Sequence, residues 1–178
     1  MSNTFEFSFL QKELTINAGE LNTVLGAEMN SVTDLILSGT IDARDFETMK
    51  DSIPLLNYVD LRNTTIVEYT GEKGPQTWAP ATYPANTIPI YAFDNNSSIE
   101  TLFLPNGATT LDIASLRGAH ALVYFPAALS TIQNAALSYA SARISVDPDN
   151  LFFTSENDVL YNKNKTKLIF CSTIKTGV

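Results

Sequence analysis

The sequence predicts a solenoid of α/β class, made mainly of parallel strands joined by short helical or 3-10 turns on the convex side and closed by a β-hairpin. Three observations predict it. Leu102–Leu122 and Val123–Arg143 can be laid over one another without a gap, sharing Pro105/Pro126, Thr110/Thr131, Ala114/Ala135, Leu116/Leu137, Ala119/Ala140 and Ala121/Ala142. A third copy starts on the same 21-residue schedule with Ile144 and Val146. The apolar pairs Leu102/Leu104, Val123/Phe125 and Ile144/Val146 are spaced by two, the mark of a short strand with one buried face. Units of this size cannot bury their own apolar face, so neighbours must stack to make a core.

Within each unit the elements follow from local chemistry. Pro105 and Pro126 end their strands because proline has no N–H for a ladder bond. A polar bend comes next, then one inward residue, Leu111 or Ile132. The small-residue stretch at Ala114 or Ala135 is too short for a free-standing helix and is expected to form one helical or 3-10 turn. Strand, bend, compact turn, strand is the plan of a leucine-rich repeat.

The N-terminal half repeats the plan with longer turns. Leu35 and Leu37 recur as Val59 and Leu61, 24 residues later, with Ile41 and Ile66 as the next inward positions. Asp42–Ser52 is predicted to be a helix, with Asp42 as N-cap, acidic residues in the first turn, and Pro54 beyond the end. A second helix is expected over 18–28, with Leu21, Val24 and Leu25 on one side. Thr4–Phe9 alternates as a strand would. Residues 1–30 are thus expected to form an N-terminal cap to a single domain spanning 1–178, with repeats over 31–150.

Two segments break the rhythm. Residues 67–90 are read as an ordered excursion loop pinned by Trp78 and Tyr83. Residues 151–178 end in a hairpin, where Asp158–Tyr161 and Thr166–Phe170 flank Asn-Lys-Asn-Lys.

Several of these stretches resemble the BspA-like leucine-rich-repeat family of bacterial surface proteins. They are LRNTTIVEY (Leu61–Tyr69), YPANTIPIYAF (Tyr83–Phe93), SSIETLFLP (Ser97–Pro105) and NDVLYNKNKTKLIFC (Asn157–Cys171); SVTDLILSGTIDARDF (Ser31–Phe46) is similar to the segment that precedes such repeats. The resemblance implies a non-enzymatic repeat module, exported to the cell surface or secreted. Its implied role is adhesion to a protein of a host or neighbouring cell. Met1-Ser-Asn-Thr has neither a basic nor an apolar leader region, which alone favours the cytoplasm. Set against the resemblance, the expectation is a mature part whose leader has been removed.

Composition narrows the function classes. The chain has 178 residues, 44% apolar and only 17% charged, enough for one domain. Its net charge of −8 and lack of any basic run argue against nucleic acid and anionic membrane surfaces. No apolar run is long enough to span a bilayer, and the single cysteine, Cys171, allows no internal disulfide.

Catalytic arrangements are poorly supplied. His120 and Cys171 belong to different repeats and lack a third orienting group; Cys171 reads as a small buried hydrophobe and His120 as a partly exposed turn residue. Asp42 and Asp45 read as helix-start residues rather than a glycosidase pair. Asp147-Pro148-Asp149-Asn150 reads as a turn, without the oxygen set that calcium needs. No enzyme, metal site or cofactor is therefore expected.

The outward positions of the strands are better candidates, because successive strand residues face opposite ways. They pair as Asp34 and Ile36, Tyr58 and Asp60, Thr101 and Phe103, Leu122 and Tyr124, Arg143 and Ser145. Ile36, Tyr58, Phe103 and Tyr124 make an apolar and aromatic stripe edged by Asp34, Asp60 and Arg143, expected to bind a protein ligand or a glycan on the concave face. The same composition also suits bare β-propensity on a strand surface, which leaves open a structural spacer or assembly element of a longer surface protein.

Overall fold

The computed structural model describes residues 9–76, 78 and 80–172. It is a mixed α/β protein with a mainly parallel central sheet and few helices. In chain order the elements are β1 (Gln11–Ile16), α1 (Leu21–Leu25), a 3-10 turn (Gly26–Asn30), β2 (Asp34–Ile41), α2 (Ala43–Asp51) and β3 (Tyr58–Ile66). Then come β4 (Tyr69–Gly71), β5 (Ala81–Tyr83), β6 (Thr87–Ile88), β7 (Thr101–Phe103), β8 (Thr110–Leu111) and β9 (Leu122–Phe125). The chain continues with β10 (Thr131–Ile132), β11 (Arg143–Val146), β12 (Phe153–Glu156), β13 (Val159–Asn162) and β14 (Leu168–Cys171).

The central sheet has six strands in the order β1-β2-β3-β7-β9-β11, every pair parallel. Its register places Leu35, Val59, Leu102, Val123 and Ile144 in one row, and all five are buried. A second parallel ladder, β6-β8-β10, is built from Thr87–Ile88, Thr110–Leu111 and Thr131–Ile132. Ile88 and Leu111 join the same apolar cluster as Leu102, Leu104, Val123 and Phe125, so both ladders close on one core. Each such fully buried side chain contributes about 1.5–3 kcal/mol. Two- to four-residue strands could not persist without it.

The compact turns differ from the helical or 3-10 expectation. They are successive hydrogen-bonded turns: Ser115, Arg117 and Ala119 donate to Asp112, Ala114 and Leu116, and Ala136, Ser138 and Ala140 repeat this 21 residues on. Ala114 and Ala135 sit at positive φ (54° and 60°), as do Gly118 and Tyr139 four residues later. That conformation interrupts a right-handed helix. Neighbouring turns are tied directly, with Phe93 N–H donating to Ser115 C=O, Leu116 N–H to Ala136 C=O and Gly118 N–H to Ser138 C=O. Tyr91 and Asn95, also at positive φ, show that residues 87–95 carry a turn of this kind.

Most of Thr4–Phe9 lies outside the described residues, and Phe9 itself is exposed and in no strand. The first strand of the sheet is instead Gln11–Ile16, within the stretch expected to cap the domain. The helical region 18–28 splits at Gly26 into α1 and the 3-10 turn, and Val24 faces solvent rather than the core. Helix α2 forms as expected: Asp42 caps it and Asp45 accepts back from the Asp42 N–H at 2.9 Å.

The first part of the 67–90 segment packs against α2, with Arg44 lying over the Tyr69 ring. Antiparallel β4 and β5 stack Tyr69 on Tyr83; Gly74 N–H donates to Glu47 and Lys50 Nζ to the Pro75 carbonyl. Tyr83 is buried and does pin the segment, whereas Trp78 is 57% exposed, with its ring edge-on to Tyr91. Leu61 to Leu104 spans 43 residues yet advances the central sheet by a single strand, β3 to β7. At the other end, β13 and β14 form the hairpin, and β12 adds a third antiparallel strand. Asn150 is fully buried and directs this entry: its amide donates to the carbonyls of Pro126 and Leu129 and accepts from the N–H groups of Phe152 and Phe153.

Candidate functional site

The outward face of the central sheet carries two rows. One holds Asp34, Tyr58, Thr101, Leu122 and Arg143; the other holds Ile36, Asp60, Phe103, Tyr124 and Ser145. The aromatic stripe therefore steps diagonally from Tyr58 in the first row to Phe103 in the second. Tyr58 and Phe103 meet at 5.9 Å with a 54° tilt, and Phe103 stacks on Tyr124 at 4.1 Å and 5°. Ile36 is separated from these rings by Asp60, and Arg143 sits exposed at the far end.

Asp60 departs from its expected place on the edge of the stripe. It lies inside the row between Ile36 and Phe103 and is only 6% exposed. Arg62 grips it with Nε and Nη2 at 3.0 and 2.6 Å, and the Arg62 backbone N–H adds a bond of 3.0 Å. Burial pushes the Asp60 carboxyl up, but these donors outweigh it and hold the group below its ordinary value. The carboxylate is thus already satisfied, and it positions Arg62.

Arg62 was not singled out by the sequence reading, yet it completes the face. Its guanidinium lies 4.2 Å from the centre of the Phe103 ring, so cation, Phe103 and Tyr124 form one continuous stack. A usable signal was present in Asp60-Leu61-Arg62, since residues two apart on a strand share a face. The Tyr58 hydroxyl has its pKa raised by burial first and by Asp60 next, which keeps it a neutral phenol. A cleft of about 250 Å³ runs along the strand ends past Arg62, Phe103, Tyr124, Ser145 and Asp147.

The remaining candidates are placed as follows. Asp42 and Asp45 are buried at the start of α2. Asp45 accepts from the backbone N–H groups of Gly19, Leu21 and Asp42, and Asp42 is paired with Arg44. Asp45 joins α1 to α2, and Asp42 is taken up by capping α2 and holding Arg44. Asp147 accepts from Asp149 N–H within its turn. His120 is exposed. Cys171 is exposed rather than buried, because β14 is the outer strand of its sheet among the described residues. Among the described residues no three His, Cys, Asp or Glu side chains are grouped to hold a metal ion, and no helix is long and apolar enough to cross a membrane.

No protein-family model matches this chain, and no curated protein matches it.

Proposed function

We propose that the chain is a leucine-rich-repeat solenoid of BspA-like type, exported and displayed at a cell surface, which acts without catalysis by binding a protein partner on its concave sheet. The observation that carries this reading is the Arg62–Phe103–Tyr124 stack, flanked by Tyr58 on the open face of a parallel sheet. Aromatic and arginine side chains held rigid and half-exposed are the residues that dominate protein recognition, because little conformational entropy is lost when they are covered. The constant register and the repeated positive-φ turns support the repeat architecture.

A protein is favoured over a glycan by the orientation of the rings. Sugars stack on exposed ring faces, but three of the four faces of Phe103 and Tyr124 are taken, by each other and by Arg62, which leaves one face of Tyr124 rather than a platform. The spacer reading has one observation in its favour: Tyr139 and Leu168 are both exposed and line one cleft near the C-terminal hairpin. Binding of the purified chain to immobilised matrix proteins, mucins and polysaccharides tests the proposal, with a Tyr58→Ser, Phe103→Ser, Tyr124→Ser triple variant alongside. Saturable binding to protein, lost in the variant, is the expected result; no binding to any surface supports the spacer.

A further inference from the structure

Three arginines in this protein share one arrangement: a guanidinium held by a carboxylate and laid over an aromatic ring. Arg44 is held by Asp42 over Tyr69, Arg62 by Asp60 over Phe103, and Arg117 by Asp94 over Tyr91. A fourth site has every part but the cation. Tyr124 has Phe103 on one face; on the other side its neighbour in the row is Ser145, whose side chain is too short to cover a phenol ring. The 250 Å³ cleft opens there with Asp147 on its wall; Arg62 lines it too, but its guanidinium is held by Asp60 over Phe103.

Asp147 Oδ1 accepts the turn N–H of Asp149, and Oδ2 makes no hydrogen bond among the described residues. Arg143 does not fill the gap. It belongs to the row of Leu122 and lines the adjoining cleft with Glu156 and Asp158.

We propose that this slot takes the guanidinium of an arginine side chain from the protein partner, stacked on Tyr124 over Ser145 and paired with Asp147. The proposal rests on the reading of the sheet as a binding face and names what that face recognises. A planar guanidinium suits the site better than an ammonium, since it can stack on the ring and present N–H groups to a carboxylate at once. Charge agrees: a chain of net −8 attracts a cationic partner over distance.

The test is an NMR titration of the whole chain with N-acetyl-arginine amide, using N-acetyl-citrulline amide as the uncharged match and N-acetyl-lysine amide as the point charge. Arginine is expected to shift Tyr124 and Ser145 saturably, with its δ-methylene protons moved upfield by the ring current. Citrulline is expected to do neither, and lysine to bind more weakly. Ser145→Phe, which fills the slot, is expected to abolish the response, and Asp147→Asn to weaken it severalfold. A missing response at Tyr124, or an equal response to citrulline, overturns the slot. A protein partner retained by Ser145→Phe but lost with Phe103→Ser and Tyr124→Ser also overturns the slot and leaves the binding face standing. A partner retained by all three variants removes the face itself.

Discussion

Phe103 and Tyr124 stand on adjacent parallel strands in direct register, with ring centres 4.1 Å apart and planes within 5° of parallel. Parallel strands with constant register put equivalent side chains one strand spacing apart, which is close to the thickness of a stacked ring pair. The stack is thus a product of the parallel register. A double-mutant cycle with Phe103→Ala and Tyr124→Ala, read by chemical denaturation, is expected to give a coupling of about 0.5–1.5 kcal/mol. Zero coupling would mean that the rings do not meet in solution.

The Asp60–Arg62 fork has a signature in acid. Asp60 has a depressed pKa in the folded chain, so its contribution to stability is present above its ordinary carboxylate range and lost as pH falls through the folded value. With Arg62→Gln the counter-charge goes, and burial is opposed only by the backbone N–H of residue 62. The acid-side loss of stability traceable to Asp60 is then expected to shrink or reverse. At neutral pH the variant is expected to lose about 1–3 kcal/mol, since a nearly buried carboxylate is left short of donors. Denaturation series between neutral pH and about pH 2.5, run on both proteins, check the sign. Parallel pH profiles would contradict it.

Ser115 is buried in its turn, and its hydroxyl has no hydrogen-bond partner among the described residues. The residues stacked at the equivalent position before and after it, Ala92 and Ala136, are buried alanines. Ser115→Ala is therefore expected to raise stability by about 1 kcal/mol, the cost of an unpaired buried hydroxyl. A loss of stability would show that the hydroxyl has a partner.

How much of this was legible beforehand depended on whether the determining chemistry was local. The 21-residue period, the prolines ending β7 and β9, the Asp42 cap and the Asn-Lys-Asn-Lys hairpin are set by neighbours in sequence, and the corresponding elements lie where they were expected. Strand β1 was not legible: its inward positions are Lys12, Leu14 and Ile16, and the lysine, paired with Glu28, breaks the apolar alternation. The Thr110–Leu111 ladder is only half legible: Leu111 is expected to point inward after a bend, but two residues carry no strand periodicity. The left-handed turns at Ala114 and Ala135 were hidden too, since alanine gives no sign of positive φ. On the sheet face, the expected stripe does not follow one row: Tyr58 stands in the row of Asp34, and Asp60 lies between Ile36 and Phe103. The grip of Arg62 on Asp60 was missed because it depends on which side chains meet in space.

Asn150 ends the repeats by making four buried hydrogen bonds with one side chain. Asn150→Ala leaves two carbonyls and two N–H groups without their partner, and is expected to cost about 2–4 kcal/mol. Hydrogen exchange is expected to rise through Phe153–Cys171 before it rises in the central sheet. Uniform loosening of the whole chain would show instead that the hairpin and sheet unfold as one unit.

The most direct test of the central claim is binding by the Tyr58→Ser, Phe103→Ser, Tyr124→Ser variant, with circular dichroism confirming that it is folded. The wild-type chain is expected to bind at least one immobilised extracellular protein saturably, and the folded variant is expected not to. A folded variant that binds the same protein with unchanged affinity would contradict it.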